Sequence, residues 1–289
     1  MNPPSPSFSV KVDITNPGHV FACCGLLELS SRIWQFSEGW FDLPGFNLSI
    51  PNEVERDKFG VLMSKLSNCE ITGLKEEELE EKERLKSEKK RDKESFPKEK
   101  EMRLKELGKQ SRSGEIKMGK PFNLSLDWWE SEQAPKTWAG KQEVLGIANA
   151  ARNEMCKTQE PDELLDRNSI LRKPDGKTKI EPFYFDSRRF ADRRDVGFSL
   201  DAINCVTPAY PAVEFLTLVG MQRFRPAPNQ KEKSSFNYSI WTYPLSVSVA
   251  SAVFSESASL RGTYKYGFRM LPRDGENRYK GFSNARPMS

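Results

Sequence analysis

The stretch Phe8-Ser-Val-Lys-Val-Asp-Ile-Thr-Asn-Pro-Gly-His-Val-Phe-Ala-Cys-Cys-Gly-Leu-Leu-Glu-Leu29 changes its hydrophobic period once. Phe8, Val10, Val12 and Ile14 alternate with polar residues, the period-2 signature of a strand with one buried face. From Pro17 onward Phe21, Cys24, Leu27, Leu29 and Ile33 spread over a broad helical surface instead. Asn16 is the expected cap of that helix, and Pro17 its first residue, where a missing N–H costs nothing. Gly25 in mid-helix costs about 1 kcal/mol against Ala, so the sequence predicts another element in close approach there. The small neighbours Ala22 and Cys23 point the same way.

Beyond this unit the period keeps switching. A short aromatic strand is expected over 40–48. A helix should begin near Pro51, with Asn52 as candidate cap and Val54, Phe59, Leu62, Met63 and Leu66 turned inward. Phe122, Leu124 and Leu126 alternate before Trp128 and Trp129, and a helix over about 140–155 places Val144, Ile147 and Ala151 on one face. The C-terminal part predicts a helix over 211–224 and strands over 236–243, 245–251 and 263–271. In the last, Tyr264, Tyr266, Phe268 and Met270 face one way and Lys265 and Arg269 the other. Strands and helices interleave without regular βαβ spacing. The expected class is therefore α+β, with mixed or antiparallel sheets, a few packed helices and a charged helical insertion.

The expected organisation is a single body over 1–289, with an N-terminal lobe (1–156) and a C-terminal lobe (180–289). Residues 74–110 read as a charged insertion, helical or disordered, because apolar residues are sparse there and the charge is dense. If helical, it bends near Pro97. Residues 157–179 are polar, contain Pro161, Pro174 and Gly176, and read as a mobile connection. The helix at 211 echoes the one at 17: each opens with Pro, carries Phe four residues on and reaches a Gly one turn later. That echo is too short to claim a duplication.

Composition narrows the chemistry. Apolar residues make up 37% and charged residues 30% of 289, and the formal net charge of +4 is too modest to argue for nucleic acid by itself. Distribution says more. Arg188, Arg189, Arg193 and Arg194 crowd one segment, and basic residues recur through the last thirty positions. No run approaches the roughly 18 apolar residues of a membrane span, and residues 1–6 lack the pattern of a secretory signal. The five cysteines form no C-x-x-C pair and read as reduced thiols, so a cytoplasmic protein is expected. The single histidine, His19, rules out a multi-histidine metal site and leaves nucleophile–histidine catalysis one poor candidate. Asp186, Asp192, Asp195 and Asp201 sit among arginines, which favours ordinary ion pairs over a two-metal centre. No phosphate-binding glycine loop is present. No catalytic residue, metal ligand or cofactor is expected.

Three blocks are distinctive. They are Thr15-Asn-Pro-Gly-His-Val-Phe-Ala-Cys-Cys-Gly-Leu-Leu-Glu-Leu29 with Gly39-Trp-Phe41; Leu126-Asp-Trp-Trp129 with Lys136-Thr-Trp-Ala-Gly-Lys-Gln142; and Phe185-Asp-Ser-Arg-Arg189 with Asp195-Val-Gly-Phe-Ser199, Tyr210-Pro-Ala-Val-Glu-Phe215 and Gln222-Arg-Phe-Arg-Pro226. Together they resemble the short large-subunit proteins of type I-U (I-G and relatives) CRISPR Cascade complexes. The match covers the chain apart from 74–120 and 157–179. The resemblance implies a non-catalytic subunit that contacts CRISPR RNA and target double-stranded DNA. It would recognise the short flanking motif, the PAM, assemble with the other Cascade subunits and help recruit a helicase-nuclease in trans.

Candidate contacts follow, each with a plainer structural alternative. Asn16 could present a helix N-terminus to phosphate, or simply cap the helix. Lys136, Trp138, Lys141 and Gln142 suit phosphate or base-edge contact, or a core turn. Arg188, Arg189, Arg193 and Arg194 suit phosphate, or a surface turn salt-bridged to Asp186, Asp192 and Asp195. Two other functions stay open: an RNA-binding backbone or guide-processing subunit of the same machinery, and a protein-only scaffold.

Overall fold

The computed structural model describes residues 4–51, 56–73, 76–113, 116–127, 143–189, 208–230, 232, 234–272 and 280–288. The fold is α+β. Strands β1 (Phe8–Lys11), β2 (Glu38–Asp42) and β3 (Gly45–Ser49) form an antiparallel sheet in the order β1–β3–β2, with β1 Val10 opposite Phe46. A small sheet joins β4 (Ile71–Thr72), β5 (Ile116–Met118) and β6 (Leu124–Leu126). In the third sheet β7 (Ala227–Pro228) lies beside β8 (Ser235–Trp241). The two-residue strand β9 (Leu245–Ser246) leaves this region and completes the first sheet next to β2. Finally β10 (Thr263–Pro272) pairs with β8, with β11 (Lys280–Phe282) and with β12 (Arg286–Pro287).

Seven helices are described: α1 (Pro17–Ile33), α2 (Lys58–Asn68), α3 (Glu76–Arg91), α4 (Lys98–Ser113), α5 (Val144–Met155), α6 (Pro211–Gly220) and α7 (Val247–Phe254). Helix α1 is buried without a break from Pro17 to Ser30, and α6 along its whole length. A helix buried on all sides is a core helix, and these two form the axis of the molecule. They run side by side in the same direction. Thr217 Oγ1 in α6 donates to the Gly18 carbonyl at 2.8 Å at the start of α1, and Arg223, just past α6, pairs with Glu28 further along α1. At the crossing Gly25 faces Gly220. A Cβ on Gly25 would strike the Leu216 carbonyl, and one on Gly220 would strike that of Phe21. The close approach expected at Gly25 is therefore made by α6, the helix that echoes α1.

Both halves of the chain feed one core. Phe21 of α1 meets the edge of Phe254 at 5.1 Å and lies 5.8 Å from Phe282. Trp241 Nε1 on β8 donates to the Gly39 carbonyl on β2 at 2.7 Å. The lobes 1–156 and 180–289 interpenetrate rather than standing apart.

Three expectations are corrected. Helix α2 begins at Lys58 and not near Pro51: Asp57 caps it, accepting from Gly60 N at 2.8 Å, while Asn52 and Val54 lie outside the described residues. The strand pattern over 245–251 yields only β9 before α7 takes over. There Ala250, Val253 and Phe254 are buried at helical spacing, which the Val-Ser-Val alternation concealed. Residues 157–171 are anchored on the core rather than loose, and 172–179 form an exposed turn beyond them. Leu164, Leu165 and Leu171 are buried in the core, and Ser169 exchanges backbone hydrogen bonds with Ala209. Three leucines suffice to anchor a segment whose other residues are polar.

The charged segment is an antiparallel helical hairpin, α3 and α4, inserted between the paired strands β4 and β5. Ion pairs Arg103–Glu81 (3.0 Å), Lys100–Glu88 (2.7 Å) and Lys89–Glu101 (2.8 Å) cross between its helices. Leu85 and Leu107 are buried, yet neither belongs to the main core cluster.

Candidate nucleic-acid interface

The first and third sequence blocks meet at the N-terminus of α1. Strand β1 runs into the turn that carries Asn16, whose Oδ1 accepts from Gly18 N at 3.1 Å and from Ser187 N at 3.2 Å. Its Nδ2 donates to Asp186 Oδ1 at 2.9 Å. Asp186 is fully buried and also accepts from Arg188 through its backbone N (2.9 Å) and Nη2 (2.7 Å). His19 Nδ1 accepts from Asp13 N at 3.2 Å, while its Nε2 stands 3.7 Å from Asp186 Oδ2, an ion-pair distance too long for a hydrogen bond. Burial alone would raise the Asp186 pKa. His19 and Arg188 outweigh it and hold the carboxyl well below the usual carboxylate range. The first amides of α1 are thus taken by Asn16, which the buried Asp186 holds in place.

Arg188 is equally committed. Its Nη1 donates to Asp166 at 2.7 Å and its Nη2 to the Leu165 carbonyl at 2.8 Å, and its guanidinium lies 3.5 Å over the Tyr210 ring. Asn16, with no exposed surface, has no face to offer a ligand. For these two residues the structure gives the plainer role of cap and salt-bridged anchor, because burial brings partners that sequence neighbours do not reveal. Arg189 ends the 3₁₀ turn Ser187–Arg189. Lys136, Trp138, Lys141, Gln142, Arg193 and Arg194 lie outside the described residues.

The other blocks join the same axis. Buried Glu28 accepts from Arg32 Nε at 2.7 Å and from Arg223. Arg32 reaches on to the Phe122 carbonyl at 2.6 Å. Gln222 brackets Asp127, accepting its N–H at 2.9 Å and donating to its carbonyl at 2.7 Å. Blocks scattered from 15 to 226 therefore close on α1 and α6. No family model matches the chain. Nor does the chain significantly match any curated protein or solved structure.

A second feature has surface to offer. Between the α3–α4 hairpin, α5 and the turn 172–179 runs an open groove of about 1210 Å³. Eight of its lining residues are Lys or Arg and three are Glu. Lys86 and Lys89 come from α3, Lys105 from α4, and Arg172, Lys173 and Lys179 from the turn. Sequence reasoning missed this site because its cations are spread from 82 to 179 and each sits in a segment that reads as solvated. The density Arg172-Lys-Pro-Asp-Gly-Lys-Thr-Lys179 was the available signal.

Among the described residues no three His, Cys, Asp or Glu side chains are grouped to hold a metal ion. No helix among them is long and apolar enough to cross a membrane.

Proposed function

We propose that this chain is the non-catalytic large subunit of a CRISPR Cascade surveillance complex. In this reading it contacts guide RNA and target DNA, takes part in recognising the PAM and helps recruit a helicase-nuclease. The observation that carries the reading is the convergence of the resemblance-bearing blocks. Asn16 binds Asp186 and Ser187, Thr217 binds Gly18, Arg223 binds Glu28 and Gln222 binds Asp127. Residues that define the resemblance are one another's partners, as expected of one framework. A non-catalytic role fits the sole histidine, which is held between Asp13 and Asp186.

The test is co-purification. The tagged chain, expressed with a CRISPR array and the other subunits, is expected to recover guide RNA and those subunits as one particle. Recovery of the chain free of both would sink the proposal. The internal commitment of Arg188, Arg32 and Arg223 also supports a second reading, a scaffold whose arginines serve only protein. The two part on salt: duplex binding through phosphates gives a steep log–log slope, and a scaffold gives none.

A further inference from the structure

We propose that the groove between the α3–α4 hairpin, α5 and the 172–179 turn seats the sugar-phosphate backbone of a nucleic-acid duplex. The inference rests on the groove itself and not on the CRISPR reading.

Charge is the first argument. The three lining carboxylates are all engaged by lining lysines: Glu143 by Lys82 at 2.6 Å, Glu101 by Lys89 at 2.8 Å and Lys105 at 3.5 Å, and Glu154 by Lys157 at 2.6 Å. The remaining cations are surplus within the groove. Lys86 turns to Glu83, an exposed partner outside it, at 2.7 Å. Among the described residues Lys179 has no carboxylate within ion-pair reach, and Arg172 donates only to the Lys177 carbonyl. A surface with five more cations than carboxylates suits a polyanion, and a duplex carries one phosphate charge per ~1.7 Å of axis.

Geometry is the second. Lys86 and Lys89 stand about 4.5 Å apart along α3, on neighbouring turns of one face. Opposite them the turn is held in shape. Asp175 accepts from Lys177 N (2.8 Å), Thr178 N (2.8 Å) and Thr178 Oγ1 (2.7 Å), and Lys173 N donates to the Thr178 carbonyl at 2.8 Å. Every residue from Arg172 to Lys179 is exposed, so the basic side chains reach solvent from an ordered backbone. That order reduces the entropy lost on binding.

The third argument separates duplex from single strand. Single-strand binders add aromatic platforms on which unpaired bases stack. The groove's described lining has Leu104, Leu145, Pro174 and Ile180 but no aromatic ring. Such a lining reads backbone rather than base.

The test titrates the full chain with a fluorescent DNA duplex of random sequence, and with its single strand, between about 50 and 200 mM salt. Two double variants are compared, Lys173→Ala/Lys179→Ala and Lys86→Ala/Lys89→Ala, one for each wall. Each is expected to weaken duplex binding about tenfold or more, for every sequence alike, and to reduce the log–log salt slope by about two. Lys86, Lys173 and Lys179 are exposed, while Lys89 is half-buried on Glu101, so each variant is first required to keep the parent's circular dichroism spectrum and a cooperative melt. Unchanged affinity and slope in both variants would overturn the inference. So would single strand binding as tightly as duplex, displacement by polyglutamate as effective as by duplex, or no duplex binding by the parent chain. Guide RNA recovered with the double variants, despite any of these results, would leave the Cascade reading standing while the groove assignment falls.

Discussion

Asp186 and Arg188 hold each other inside a node that also takes in Asn16, His19, Asp166 and Tyr210. Removing one partner leaves a buried charge uncompensated, which typically costs 3–5 kcal/mol. Arg188→Ala should therefore lower stability by about 3 kcal/mol in urea melts, whatever it does to ligand binding. A loss under about 0.5 kcal/mol would return Arg188 to the pool of surface cations. The acid limb follows from Asp186. Its folded pKa lies below the ordinary value of about 3.9, so its stabilisation is complete above that value and drains away as pH falls toward the folded one. The margin by which the parent exceeds Asp186→Asn should narrow as pH falls below about 4. A margin that grew on acidification would contradict the assignment. At this scale the sequence was legible where chemistry is local. Asn16 as cap and Pro17 as first helical residue need only their neighbours. Arg188 was not, because Asp166 and Tyr210 arrive from other segments.

Helices show the same division. The mid-helix Gly25 announced a close neighbour, but not that the neighbour would be α6 with Gly220 reciprocating. Gly25→Ala should destabilise by about 3 kcal/mol or more, since backbone and not a flexible side chain must give way. Gly146→Ala on α5 is the contrast. Its added Cβ would meet nothing closer than Glu143 Cβ at 4.0 Å, and the change should stabilise by roughly 0.5–1 kcal/mol. Equal effects at the two sites would deny the helix contact. Composition marked the charged insertion as helical or disordered, and the ion pairs that cross between its two helices are shown by no periodicity. Because β4 and β5 are neighbours, a short Gly/Ser linker can replace residues 76–113 without parting them. Leu85 and Leu107 lie outside the main core, so the deletion should fold and lose about 2 kcal/mol or less. An insoluble product would make the hairpin part of the core.

At the scale of the molecule, the lobes suggested by the break in composition around 157–179 dissolve into one core. Nothing local in the sequence says that β9 leaves the third-sheet region to complete the first sheet, or that Phe21 will meet Phe254 and Phe282. These are contacts across more than two hundred residues. Their consequence is cooperativity: neither half can keep its apolar face covered alone, so the chain should unfold in one step. The cysteines are built-in reporters of that step. Cys23 and Cys24 lie in the centre of α1 and Cys69 follows α2, and all three are buried. Burial pushes the Cys23 and Cys24 thiols well above their ordinary pKa and raises Cys156, at the end of α5, to about 11. The thiolate is the reactive form, so native protein near neutral pH should label slowly at these positions. In a Cys205→Ser background, which removes the thiol outside the described residues, labelling along a urea gradient should rise in step with the loss of far-UV ellipticity. Cys23 and Cys24 report the α1–α6 axis, and Cys69 and Cys156 the face that carries the inserted hairpin. If the second pair became reactive at clearly lower urea than the first, that face would be an independent folding unit, and the single core would have to be redrawn as two.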